Sequence, residues 1–238
     1  MKTRKAAAII ACVAMMAMGL AGCGSPKEAT FTGKSGITVA ATDQWKQLQS
    51  QEELKELYMD QVDAELEESV DLALKNGDKM YFTIEVLDIA DDFDSMVAMA
   101  DELRAQAAEL GVEEVKQVIG ETYTEEQSAI IQELLSEDAD LELLYQQFSN
   151  NGWFDQLEST MQDYAFVGET EATILGKPSA ISEYIYTNGD GAKLHFYEAS
   201  IVQDGKLYTI NGWCDDAVFS KNSEALKGMI NSAQWPQK

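Results

Sequence analysis

Three cysteines, three prolines and a single histidine stand in a chain of 238 residues. Each scarcity removes a class of chemistry. Cys12 lies inside an apolar leader and Cys23 closes it, which leaves Cys214 alone in the body of the chain. No disulfide framework is available there, and a domain of this size has core enough to fold without one. Cys214 ends the strand-like run Leu207-Tyr208-Thr209-Ile210-Asn211-Gly212-Trp213-Cys214 with no basic neighbour, so it reads as a small buried apolar side chain. His195 would have to serve any Ser-His-Asp or Cys-His site, and one histidine with one free thiol falls short of a zinc ligand set. Gly-rich phosphate loops and Gly-x-Ser-x-Gly are missing. Positive charge is also short: 17 Lys and Arg stand against 42 Asp and Glu, a formal net charge of −25. Three of those bases, Lys2, Arg4 and Lys5, belong to the leader. The remainder is too acidic to bind nucleic acid, or to adhere to anionic lipid through its surface.

What is present begins with that leader. After the basic start, residues 6–18 are apolar, too short to span a bilayer, and Leu20-Ala21-Gly22-Cys23 follows. These four residues resemble the lipobox of bacterial lipoproteins. The resemblance implies that residues 1–22 are a signal peptide cut before Cys23. It also implies that Cys23 carries diacylglycerol and fatty acyl groups such as palmitate. The protein is then held through its acyl chains to the extracytoplasmic face of the cell membrane, and two or more chains make that attachment lasting. No cofactor other than this lipid is expected. Residues 23–30 read as a short tether and residues 31–238 as one α+β domain.

Alternation predicts a strand at Gly36-Ile37-Thr38-Val39-Ala40 and another over residues 80–88. Ser50-Gln51-Glu52-Glu53 is a capping box, and Leu54, Leu57, Val62, Leu66, Val70 and Leu74 continue at helical spacing, predicting one helix to about Gly77. Residues 91–164 predict a helical subregion or insertion. It holds a helix capped at Asp94 or Ser95 and closed by Gly111, and a second opened by the Thr124–Gln127 box. A third carries Leu141, Leu144 and Phe148, is broken at Asn150-Asn151-Gly152, and resumes at Trp153. Beyond it, strands are expected over 170–175, 180–186, 193–201 and 206–212, turning at Asn188-Gly189-Asp190-Gly191 and Asp204-Gly205, where positive φ is tolerated. Asp215 or Asp216 opens a last helix with Leu226, Met229 and Ile230 inward.

This order resembles the PsbP-like superfamily, an antiparallel sheet flanked by helices in an α/β/α sandwich. The matching residues are Gly36 to Val39 with Trp45, the run Gly176, Ala180 and Tyr184, then Tyr197. The Asp204-Gly205-Lys206-Leu207-Tyr208 hairpin and Leu226, Ile230, Asn231 and Ser232 complete them. The resemblance implies a binding or accessory subunit and no shared active site.

Calcium is tested by counting. Asp88, Asp91, Asp92 and Asp94 lie within seven residues, but an EF-hand begun at Asp88 would place Phe93 where Gly is needed and Met99 where Glu is needed. These acids read first as helix-start residues. Trp153, Tyr184, Tyr186, His195, Tyr197 and Trp213 are candidates for a binding surface. The expectation is a non-catalytic, membrane-anchored binding or accessory module with an envelope protein as candidate partner. The alternatives are a small-ligand or calcium-binding lipoprotein and, more remotely, an envelope hydrolase working through a carboxylate pair.

Overall fold

The structure, a computed structural model, describes residues 26–58, 64–77 and 79–236. The leader, Cys23 and the start of the tether lie outside the described residues. The chain opens with β1 (Glu28–Thr32) and β2 (Thr38–Thr42), a separate antiparallel pair, followed by the short β3 (Lys46–Gln47). The order continues with α1 (Gln51–Tyr58), α2 (Ala64–Ser69), β4 (Val70–Asn76) and β5 (Met80–Asp88). Four helices come next: α3 (Ala90–Leu110), α4 (Val112–Thr122), α5 (Glu125–Glu133) and α6 (Leu141–Thr160). Then follow β6 (Gln162–Ile174), β7 (Lys177–Thr187), β8 (Lys193–Gln203), β9 (Lys206–Asp215) and α7 (Asp216–Asn231).

Seven strands form one antiparallel sheet in the order β3-β4-β5-β9-β8-β7-β6. The expected α+β class, an antiparallel sheet between helices, is what the chain adopts. One face is apolar: Leu72, Phe82, Ile84, Ile210 and Ile201 pack under Leu226, Met229 and Ile230 of α7, with Ile37 and Val39 of the β1–β2 hairpin beside them. Gly212 permits this fit, since a Cβ there would stand 3.3 Å from Leu226. The opposite face carries α1 over β4, through Leu54, Val70 and Ala73, and α6 over the β7–β9 half, through Leu157. Outside α6, helices α3 to α5 close their own core around Ala100, Leu134, Leu144, Ile119 and Ile131. Arg104 ties that layer together, donating from Nε to the Leu134 carbonyl at 2.9 Å and from Nη2 to the Ser136 carbonyl at 2.7 Å.

Several expected elements differ. The single helix from Ser50 to Gly77 is two short helices and then strand β4. Val70, Leu72 and Leu74 also fit a period of two, and pairing of Leu72 with Ile84 and Leu74 with Phe82 decides for the strand. β1 begins inside the segment expected as a tether. Helix α4 was not expected at all. α6 runs unbroken through Gly152, because burial of Leu144 and Leu157 on either side outweighs the cost of a helical glycine, about 1 kcal/mol. α3 starts at Ala90, ahead of Asp94 and Ser95, with its first amide received by the Asp88 carboxylate at 3.1 Å.

The hairpins follow their turn residues. Asp204 and Gly205 take φ of 53° and 70°, as a two-residue turn in a twisted ladder requires. The Thr124–Gln127 capping box forms in both directions.

Candidate functional site

Strand alternation sorts the sequence candidates. On β8, His195 and Tyr197 face α7, while Leu194, Phe196 and Glu198 face α6. The six proposed surface residues therefore divide. Trp153, Tyr184, Tyr186 and Trp213 lie on the α6 side, His195 and Tyr197 on the α7 side, with the sheet between them.

On the α6 side, one aromatic ladder crosses four strands. Tyr81 stacks on Trp213 at 5.4 Å between centroids, Trp213 on Phe196 at 5.5 Å, and Phe196 on Tyr184 at 5.1 Å. These are directly paired positions on β5, β9, β8 and β7, so sheet register alone builds the stack. The next row on the same face is polar: Thr83, Asn211, Glu198 and Ser182, reaching Glu169 on β6. Glu198 is its chemical centre. Its Oε2 accepts from the Tyr184 hydroxyl at 2.8 Å and from Trp153 Nε1 at 3.3 Å. The carboxyl is 4 % exposed. Burial raises its pKa to about 7; the two donors pull it down, and the Glu85 charge pushes it further up. Tyr184, 2 % exposed, is held well above the usual phenol range by burial and by that carboxylate. Burial and Glu198 push Tyr186 up to about 12.

Beside this sealed cluster, α6 and β6 diverge to leave an open recess of about 390 Å³. Phe154, Tyr164 and Phe166 form its walls, and Asp155, Glu158 and Glu169 its rim. Phe154 packs against Phe166 at 5.5 Å and edge-on to Tyr184 at 5.7 Å, which joins the recess to the ladder. The Tyr164 hydroxyl is buried without a hydrogen-bond partner. Its pKa is raised by burial first and then by Glu158, Glu198 and Asp155. Among the described residues, no Lys or Arg forms an ion pair with Asp155, Glu158 or Glu169.

On the α7 side, His195 is held between two acids, with Nε2 2.9 Å from Glu183 and Nδ1 3.2 Å from Asp216. Its ring lies flat on Phe219, with 5° between the planes. Lys227 stands over the Tyr197 ring at 4.5 Å and Lys193 pairs with Asp216 at 3.5 Å. Cys214 is buried beneath α7, and burial with the Asp215 and Asp216 charges pushes its thiol up to about 11. That is the apolar, unreactive environment its sequence context suggested.

The acids Asp88, Asp91, Asp92 and Asp94 do not converge. Asp88 receives the Ala90 amide, and Asp91 and Asp92 occupy the first turn of α3. No three His, Cys, Asp or Glu side chains among the described residues group to hold a metal ion. Between α3, α5 and α6 lies a second cavity of about 570 Å³, lined by Met96, Met99, Ile130, Leu134 and Phe148, with Asp92 among its polar groups.

Sequence reasoning missed Glu198 and the recess. A charge inside the apolar run Phe196 to Val202 was the available signal for Glu198. The recess had none, because it is assembled from α6 and β6 only by folding.

No family model and no curated protein matches this chain. Among solved structures it is similar to cyanobacterial PsbP (CyanoP) from Synechocystis sp. PCC 6803, with a TM-score of 0.44 and 10% identity over 91% of this chain and 96% of that one. It is also similar to LpqN, a protein involved in cell envelope biogenesis of Mycobacterium tuberculosis, with a TM-score of 0.38 and 10% identity over 89% and 91%. PA94 of Pseudomonas aeruginosa gives a TM-score of 0.37 and 8% identity over 84% and 92%.

Proposed function

We propose that this protein is a lipoprotein, lipidated at Cys23 and held on the extracytoplasmic face of the cell membrane, that acts as a binding or accessory module without catalytic turnover. The observation that carries this reading is a separation on the α6 side of the sheet. Glu198, the carboxyl with a pKa suited to proton transfer at neutral pH, is sealed beneath Trp153 and Tyr184, where no substrate reaches it. The accessible feature beside it is a recess with aromatic walls, shaped to hold a group. The partner is an envelope protein or small ligand at the membrane surface. Nucleic acid is disfavoured by the net charge.

Two measurements test the reading. Cells fed a clickable palmitate should label the wild-type chain and not Cys23→Ala. Crosslinking in living cells should recover a partner in near-equal amount. Turnover of an envelope substrate by the purified protein, lost on mutation of the rim carboxylates, would sink it. A second reading, a carrier of a small apolar molecule, is favoured by the 570 Å³ cavity with its methionine and phenylalanine lining. Recovery of a lipid-soluble compound with the purified protein would select it.

A further inference from the structure

We infer that the recess between α6 and β6 is a site for an organic cation, an ammonium or guanidinium group, held against the rings of Phe154, Tyr164 and Phe166 by the carboxylates of Asp155, Glu158 and Glu169. The inference rests on the binding-module reading and names the chemistry of its ligand.

The walls and the rim supply complementary halves of one recognition mode. Aromatic faces attract a cation through their quadrupole, more strongly where water is excluded. Carboxylates lining the same recess add direct attraction, and a guanidinium can take two of their oxygens at once. Among the described residues no base neutralises these acids. Elsewhere several lysines are engaged with carboxylates: Lys227 with Glu183, Lys193 with Asp216, and Lys177 with Glu142. At the recess no such pair forms among the described residues, so three acids face one opening of about 390 Å³. Tyr164 lines the recess, while its hydroxyl is buried behind the wall without a hydrogen-bond partner, so what the recess offers a ligand there is the ring. An anion would meet three carboxylates, and a neutral apolar molecule would desolvate them without return.

The ligand chemistry has two sources, a free small cation or the basic side chain of a peptide. The test uses the full-length protein in non-ionic detergent, titrated calorimetrically with tetramethylammonium and with L-argininamide. Their uncharged counterparts, 3,3-dimethylbutanol and citrullinamide, are run alongside. The expected result is saturable binding of the cations only, weakened at least about tenfold in the Asp155→Asn/Glu158→Gln variant and by added salt. Phe166→Leu should weaken tetramethylammonium with the carboxylates intact. All three side chains are on the surface, and an unchanged melting temperature confirms that each variant is folded. A short arginine-bearing peptide binding more than about tenfold tighter than argininamide assigns a peptide source; equal binding assigns a free cation. Cations that fail to bind wild type, neutral counterparts that bind as well, or a carboxylate variant that binds unchanged would each overturn the site. If crosslinking still recovers a partner in any of these cases, the binding-module reading survives and only the ligand class falls.

Discussion

Strand β8 carries two buried ionisable groups three residues apart and sends them to opposite faces. His195 faces α7, between Glu183 and Asp216, with Lys193 and Lys227 close behind. Glu198 faces α6, and its partners are neutral donors, a phenol and an indole. On the first side, an imidazole is buried between two carboxylates. On the second a carboxyl is buried by hydrogen bonding and by favouring the protonated form. Two of the chain's few bases, Lys193 and Lys227, stand with the acids that hold the histidine, whereas no Lys or Arg among the described residues pairs with Glu198. The open recess inherits that imbalance.

The largest effect that would test the contrast lies in neighbours on β5. Phe82 and Thr83 are both fully buried, on opposite faces. Phe82→Ala should cost about 3–5 kcal/mol in urea unfolding, because the apolar side cannot collapse around the gap. Thr83→Val should cost less than about 1 kcal/mol, since its hydroxyl donates to Glu85 at the long distance of 3.4 Å. Equal losses would remove the distinction between the faces.

Next comes pH. Glu198 has a folded pKa of about 7 against an ordinary value of 4.5. Between those values the folded state binds more protons than the unfolded, so stability falls as pH rises. The contribution is complete below about pH 4.5 and is lost through about pH 7, amounting to roughly 3 kcal/mol. Subtracting the Glu198→Gln profile from wild type isolates this group from other carboxylates. A flat difference between pH 4.5 and 8 would contradict the assignment.

His195→Ala should cost about 2 kcal/mol, through loss of the Phe219 stack and of the bridge between Glu183 and Asp216. The smallest expected effect is none. Iodoacetamide at pH 8 should leave Cys214 unmodified until the protein unfolds, because the thiol is buried and its pKa lies near 11. Rapid labelling would show that α7 lifts from the sheet.

Much of this was legible in residues that act locally. The Asp204-Gly205 turn, the Thr124 capping box and the alternation along β8 all stand as the sequence implied, because each depends on neighbours within a few positions. Where two periods fitted the same apolar residues, as at Val70, Leu72 and Leu74, only pairing with β5 could choose. Gly152 carried a true cost that distant packing overcame. The split of the six surface candidates was not legible, since Tyr184 and Tyr186 share one parity on β7 and His195 and Tyr197 share one on β8, and only the pairing of Tyr184 with Phe196 sets the two pairs on opposite faces. Glu169 and Asp155 line one recess from a strand and a helix far apart in sequence, and no local pattern links them.

The β1–β2 hairpin has a mechanical consequence. Its open end is closed by Lys27 and Asp43, the Asp43 N–H donating to the Lys27 carbonyl at 2.8 Å and the Lys27 N–H to Asp43 Oδ1 at 3.1 Å, and the chain that leads back toward residue 23 leaves from that end. Tension along this chain acts on one rung at a time, first Lys27 with Asp43, then Glu28 with Thr42, and so peels β1 like a zip. β2 does not follow, because Thr38 and Gln234 exchange two backbone hydrogen bonds of 2.9 Å that staple it to the end of the domain. With the anchor proposed at Cys23, β1 is a fuse under load: it gives way first and lengthens the tether, while the sheet and its recess keep their shape.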